Sequence, residues 1–249
     1  VKIPEGVCPE ARAWLGWWEL MRRWHRFTLE GDEALPRDRA VLLVGYHGRP
    51  IAHDLCMMQN VLAERLGYLP HPIVHAAFEG DARSRRVMSD LGFVSGDGPA
   101  LAALLARREH VIVTPGGTAE GCRSHRHRYE VNWGRRTGYI RLALRYGLDI
   151  FPVASDGADD AFIGLNDGYR LGKRLGVKEG VPVWFGLGLT GLWPLALPLP
   201  VRVRCRIGAP IRLADLPVSD PADREGLQRA HALVVGRVQS LLDSLRRGR

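Results

Sequence analysis

Lysine is almost missing from this chain of 249 residues: Lys2, Lys173 and Lys178 stand alone, and the rest of the 35 basic residues are arginines. The net charge of +8 therefore rests on a bias that codon usage alone can produce, so no nucleic-acid partner is inferred from it. Cysteine is sparse as well. Cys8, Cys56, Cys122 and Cys205 lie far apart with no C-x-x-C spacing, which gives no case for a disulfide framework or a thiolate metal site and favours a reduced, cytoplasmic compartment. No charged-then-apolar leader is visible. One long apolar stretch exists, VPVWFGLGLTGLWPLALPLPV at 181–201, but glycines at 186, 188 and 191 and four prolines make it a poor spanning helix and a good loop or pocket wall. G-x-S-x-G is absent, which argues against a serine esterase.

What is present is ordinary globular material, 46% hydrophobic and 25% charged, with length enough for a sizeable core. Short Val- and Ile-rich runs at 40–46, 71–77, 110–114, 149–154 and 201–207 read as buried strands. Helical patterns fall at 54–66, 98–108 and 135–147, with a closing helix near 221–246. No repeat or linker marks a boundary, so residues 1–249 are taken as one domain. The alternation predicts an α/β fold with a mostly parallel central sheet flanked by helices. Ligands in such sheets bind beyond the carboxyl ends of the strands.

Two motifs sit at such ends. VLLVGYHGRPIAHDLCMM at 41–58 leads from an apolar run to His47, with Asp54 seven positions on. VIVTPGGTAEGCRSHRHR at 111–128 ends a strand in Pro115, Gly116 and Gly117, a turn that lets main-chain N–H groups approach a ligand. Bland readings accompany both. Asp54 serves equally as the N-cap of the following helix, His53 points outward, the glycine turn merely ends a strand, and Glu120 pairs with a nearby arginine.

The ordered set of motifs resembles the glycerolipid and lysophospholipid acyltransferase (PlsC-type) superfamily, most closely its monoacylglycerol and diacylglycerol acyltransferase-like branch. Besides the two motifs, FTLEGDEALPRDRAVLLVGYHG at 27–48, WGRRTGYIRLALRYGLDIFPVAS at 133–155 and LPLPVRVRCRIGAPI at 197–211 carry the likeness. It implies a glycerol-phosphate acyltransferase-like core over 28–212. It also implies transfer of a fatty acyl chain from acyl-CoA or acyl-carrier protein to a hydroxyl of a lipid or other alcohol, as in lipid and phospholipid synthesis, with no cofactor beyond the acyl donor. By resemblance His47 is the general base and Asp54 its partner in an H-x6-D version of the motif, whereas the commoner form has four intervening residues. Neutral imidazole, with an ordinary pKa of about 6.5, suits that task. A carboxylate would fix its tautomer and stabilise the imidazolium.

The substrate-binding set implied is Gly48, whose N–H or those of the backbone near it would face the oxyanion, with Pro115, Gly116, Gly117, Glu120 and Arg123. Phosphate-accepting members resemble P-E-G-T-R-S, whereas here PGGTAE puts Ala119 in the arginine position, which points to an acceptor without a phosphomonoester unless Arg123, Arg126 or Arg128 substitutes. A catalytically silent lipid-binding relative is the alternative. A metal-dependent hydrolase using His71 and His75 or His125 and His127 is more distant. SDGADD at 155–160 reads as a turn and helix start, and GLGLTG at 186–191 lacks the helix that a dinucleotide site needs.

At the amino terminus, residues 9–27 predict an amphipathic helix with Trp14, Trp17, Trp18, Met21 and Trp24 on one face and arginines opposite. Packing on the body and peripheral membrane contact are both open to it.

Overall fold

A computed structural model describes residues 7–74, 82–177 and 182–248. The elements run α1 (Pro9–Trp24), β1 (Thr28–Glu30), β2 (Leu42–Gly45), α2 (His53–Leu66), β3 (His71–Val74), α3 (Ala82–Asp90), β4 (Val94–Ser95), α4 (Pro99–Ala106) and β5 (Val111–Val113). They continue with α5 (Gly117–Gly121), α6 (Gly138–Tyr146), β6 (Ile150–Asp156), β7 (Ile163–Gly164), α7 (Gly168–Arg174), β8 (Gly186–Gly188), β9 (Gly191–Leu192), β10 (Arg204–Ile207) and α8 (Arg224–Arg247).

Seven strands form the central sheet in the order β1-β10-β6-β2-β5-β3-β4. All neighbours are parallel except β10 and β6, which run antiparallel. β2 lies between β6 and β5 with all four of its residues buried, and all seven residues of β6 are buried. Continuous apolar runs are what strands covered on both faces require. On one face, α8 buries Leu227, Ala230, Val234, Val238, Leu242 and Leu245 in the same cluster as Leu42, Val44 and Ile150. Their spacing of three and four residues keeps them on one stripe, and each of the leucines and valines contributes about 1.5–3 kcal/mol when fully buried. Asp223 caps this helix by accepting the Gly226 N–H at 2.9 Å.

α1 packs on α2 and α3. Ala11, Leu15, Trp18 and Met21 are buried, and Asn60 of α2 donates to the Leu15 carbonyl at 3.0 Å. The tryptophan face is thus spent largely on the body of the protein. Trp14 and Trp24 are half-buried, and Trp17 is left partly outside. Among the described residues no helix is long and apolar enough to cross a membrane.

Several boundaries differ from the expectation. The run at 201–207 is a strand only from Arg204, and of the run at 71–77 the part after Val74 lies outside the described residues. α3 has no apolar stripe to announce it and buries none of its residues. The stretch at 181–201 holds short strands, β8 and β9, that join β7 in a separate antiparallel sheet. Few β-branched residues mark it in the sequence, and its glycines read as breaks.

Candidate active site

Because β6, β2 and β5 are parallel neighbours, their carboxyl ends open on the same edge of the sheet. The chain leaving β2 carries Tyr46 and His47, the chain leaving β5 carries Gly116 to Arg123, and the chain leaving β6 carries Asp159. Three segments distant in sequence therefore meet at one place.

His47 is held through its backbone and its ring. Its main-chain N–H donates to Glu120 Oε2 at 2.9 Å. Its Nδ1 lies 3.0 Å from the Gly48 carbonyl. A carbonyl only accepts, so Nδ1 carries the proton, and in the neutral ring Nε2 keeps its lone pair. Nε2 has no hydrogen-bond partner among the described residues. Burial lowers the His47 pKa to about 4, so the ring is neutral at ordinary pH. This tautomer leaves Nε2 able to accept a proton, with the ring oriented by a backbone carbonyl and not by a carboxylate.

Asp54 lies beside this arrangement but is not hydrogen-bonded to His47. It is fully buried and makes no well-formed hydrogen bond among the described residues, its polar neighbours being Ser155 and the main-chain N–H groups of Asp54 and Leu55. A Cβ built on Gly48 would come within 2.5 Å of Asp54 Oδ1, so the carboxylate rests on the backbone of the residue next to His47. Burial raises its pKa to about 7. The helix-cap reading fails: α2 starts at His53 after Ala52, and Asp54 makes no capping bond. Nor does His53 point outward. It is 5% exposed, edge-on to the rings of Trp18 and Phe162, with its pKa depressed to about 3 by burial.

Glu120 and Arg123 turn out to be internal supports. Glu120 is buried and also accepts from the Asn132 N–H at 3.1 Å and from Trp133 Nε1 at 3.0 Å. Burial raises its pKa to about 8, partly offset by these donors. It also forms the expected ion pair with a nearby arginine, Arg123, at 4.0 Å. Arg123 also donates through Nη2 to both Asp159 oxygens at 2.8 and 2.7 Å and to the Tyr46 hydroxyl, while its buried Nε has no hydrogen-bond partner among the described residues. The glycines have steric tasks. Gly117, at φ +51°, donates its N–H to the Thr114 carbonyl, which removes that group from ligand binding. A side chain at Gly116 would strike the Glu120 carboxyl, and one at Gly121 would come within 2.6 Å of His47 Nδ1 and Cε1. Arg136 donates to the carbonyls of Pro115 and Gly116 at 2.8 and 2.6 Å.

The residue that sequence reasoning missed is Asp159. It is fully buried in the segment read as a turn and helix start, which the structure forms as a short 3-10 turn over Ala158–Asp160, and it gathers Arg123, Arg49, the Tyr46 hydroxyl and the Tyr129 N–H. Tyr46 precedes His47 and Arg49 follows it closely, so this one carboxylate anchors the histidine loop from both sides. A signal existed in its position just beyond the end of an apolar strand. Gly121 was missed for a different reason, since nothing in sequence shows which side chain needs its space. His125 Nδ1 meets Arg49 at 3.2 Å and His127 meets Glu130 at 3.1 Å, which gives both histidines ordinary polar partners; His75 lies outside the described residues.

A cleft of about 380 Å³ opens beside Ala119 and Glu120, bordered by Trp133, Arg135, Arg136 and Arg170.

The chain is similar to several known proteins. A chicken protein named DGAT1/2-independent enzyme synthesizing storage lipids is 26% identical over 195 residues, covering 76% of this chain and 53% of that protein. Phytyl ester synthase 1 of Arabidopsis thaliana is 28% identical over 142 residues, 53% of this chain and 20% of that protein. The chain thus spans about half or less of the length of these curated relatives. In fold it is similar to the crystal structure of the 1-acyl-sn-glycerophosphate acyltransferase PlsC from Thermotoga maritima, with a TM-score of 0.53 and 17% identity over 93% of this chain and 79% of that one. The family model for diacylglycerol acyltransferase matches residues 18–247, and the chain belongs to that family.

Proposed function

We propose that this protein is an O-acyltransferase that moves a fatty acyl chain from a thioester, acyl-CoA or acyl-carrier protein, to the hydroxyl of a lipid or other alcohol. The observation that carries the reading is the Nδ1–H of His47 fixed on the Gly48 carbonyl, which leaves Nε2 as a free base at the end of a central parallel strand. Family membership supplies the reaction class. The alcohol proton passes to Nε2 as the oxygen attacks the thioester carbonyl. The tetrahedral oxyanion collapses, the carbon–sulfur bond breaks, and the leaving thiolate takes the proton back from the imidazolium. The atoms balance without a covalent acyl-enzyme or a cofactor. Asp54, buried beside Gly48, stabilises the imidazolium while it exists. Gly48 and the main chain around it are the oxyanion donors, and the whole chain acts as one catalytic unit on the cytoplasmic side. Mass spectrometry of lipids formed from acyl-CoA and a mixed panel of alcohol acceptors tests this reading. An ester product that disappears with His47→Ala supports it; an unconsumed thioester across the panel points to a silent lipid-binding relative.

A further inference from the structure

Large apolar side chains on the surface of this protein are not scattered. Ten of the thirteen exposed ones among the described residues fall between Ile163 and Leu197, so one feature of the fold must account for them. That feature is the small sheet. Along its central strand and flanks the burial pattern is inverted: Trp184, Gly186 and Gly188 face inward while Phe185, Leu187 and Leu189 face out. A strand with one face on a core and the other in water places polar residues outside. Here the outside is aliphatic and aromatic.

The register makes this a surface and not a row of separate residues. Ile163 pairs with Leu187 and Leu187 with Leu192, so three exposed side chains lie abreast on one face. Leu165 donates its N–H to the Phe185 carbonyl and Leu189 to the Leu197 carbonyl, extending the face in both directions. At the turn after β9, Leu195 is 95% exposed, an apolar prong with almost no contact to its own protein. Contiguous exposed apolar area of this kind marks a contact with a partner or a lipid surface.

Charge decides between them. Between β7 and β8 the chain makes an excursion through α7, pinned where it leaves and returns by the Val183 N–H on the Gly168 carbonyl at 2.9 Å. Residues 168–177 of that excursion carry exposed Arg170, Lys173 and Arg174 and no acid. A second copy of the chain would bring the same cations and another net charge of +8 against them. An anionic bilayer accepts apolar prongs in its hydrocarbon and cations at its phosphates.

We infer that the outer face of the β7-β8-β9 sheet, with Leu195 at its tip and the α7 cations at its rim, is the surface by which this protein sits on an anionic phospholipid membrane. The inner face of the same sheet is joined to the active site. Trp184 Nε1 donates to the Arg123 carbonyl at 3.1 Å, and a side chain on Gly164 would collide with that carbonyl and with Arg49. Docking therefore sets the bilayer against the wall of the catalytic pocket. That docking serves delivery of a lipid acceptor rests on the acyl-transfer reading; the docking itself does not. Of the two readings open to α1, packing on the body accounts for most of its apolar face, which is buried.

Flotation of the full chain with vesicles of mixed zwitterionic and anionic phospholipid tests the assignment. A Phe185→Ser, Leu187→Ser, Leu195→Ser variant should partition about tenfold or more weakly than wild type. Lys173→Glu with Arg174→Glu should weaken binding to the anionic vesicles, and Trp17→Ala with Leu20→Ala on α1 should float as wild type does. Circular dichroism and melting show which variants are folded. Leu195→Ser alone touches no core and keeps the test decisive if the triple variant does not fold. A folded outer-face variant that floats like wild type overturns the inference, as does a wild type that floats on neither kind of vesicle. So does a solution dimer that the outer-face variant dissociates. Thioester consumption with a water-soluble alcohol is measured in parallel. An outer-face variant that keeps this activity but leaves the vesicles places the loss in docking. A floating wild type with no thioester turnover would remove the acyl-transfer reading and leave the docking surface standing.

Discussion

His47 donates its Nδ1–H to the carbonyl of Gly48 at 3.0 Å, and that bond determines which ring nitrogen keeps its lone pair. An ordinary histidine would be disabled by protonation as the pH falls through about 6.5. Burial lowers this one to about 4. Its neutral form is therefore present across pH 5–8, so an acid limb in kcat/KM with soluble substrates should come not from His47 but from protonation of Asp54, centred near 7, and should vanish in Asp54→Asn. His47→Ala should abolish transfer while its melting curve stays close to wild type. An acid limb near 6.5 that survives Asp54→Asn would assign the essential ionisation to His47 and overturn its depressed pKa.

Asp54→Asn separates catalysis from stability because the two should move in opposite directions. Burial lifts the carboxyl to about 7, above its unfolded value near 4, so the folded protein holds the proton across that window and the unfolded chain does not. Stability from this group is full below pH 4 and declines as the pH rises through 7. The amide removes that decline. At pH 8 the variant should melt higher than wild type, and near pH 4 the two should coincide. Turnover should nonetheless fall by about a hundredfold if the carboxylate stabilises the imidazolium. Unchanged turnover would leave Asp54 with a packing role only.

Asp159→Asn should be the most damaging conservative change in the site. The carboxylate is fully buried, bonded to Arg123 and 3.6 Å from Arg49 Nε, and both guanidiniums are buried with it. Removing its charge leaves two buried cations uncompensated, which costs about 3–5 kcal/mol. Urea unfolding measures this directly. A loss under about 1 kcal/mol would mean that the arginines find water or another acid, since breaking an effective buried pair costs far more.

The contrast between His47 and Asp159 shows how far this sequence could be read. His47 was legible because a short Val- and Leu-rich run ends on it and the ordered motifs around it resemble a known family. Asp159 was not, because an acidic turn looks the same whether water or two arginines surround it, and Arg49 and Arg123 lie 110 and 36 positions away. The central sheet was legible from its apolar runs. The small sheet was hidden by glycines that read as breaks, and its inverted faces become visible only once strand pairing is known. In α1, periodicity identified which residues share a face; that α2 and α3 cover it is a tertiary fact.

Gly121→Ala should impair catalysis through a single methyl group. The added carbon would come within 2.6 Å of His47 Nδ1 and Cε1 and 2.5 Å of the Pro50 carbonyl oxygen, so either the ring or the loop must move. Such overpacking costs about 1–3 kcal/mol. Turnover should fall by at least about tenfold, since a displaced base loses reach more than binding does. The companion change Gly236→Ala, with nothing within 4 Å of the added carbon, should be silent and serves as the control.

The last expectation concerns the acceptor. Ala119 stands where phosphate-accepting relatives resemble one another in carrying arginine, and the nearby candidates to replace it are mostly committed. Arg123 is spent on Asp159, and Arg128 lies 3.8 Å from Asp160 and donates to the His125 carbonyl; Arg126 is exposed. In the cleft beside Ala119, Arg136 holds the Pro115 and Gly116 carbonyls and Arg170 lies 4.0 Å from Asp167, which leaves Arg135. A missing charge-assisted pair is worth about 1.5–3 kcal/mol, roughly ten- to a hundredfold in preference. In direct competition, a monoacylglycerol should therefore be acylated ahead of lysophosphatidic acid. Preference for the phosphate would overturn this and make Arg135→Gln the informative variant: if that change reverses the preference, the guanidinium that position 119 lacks is supplied from across the cleft.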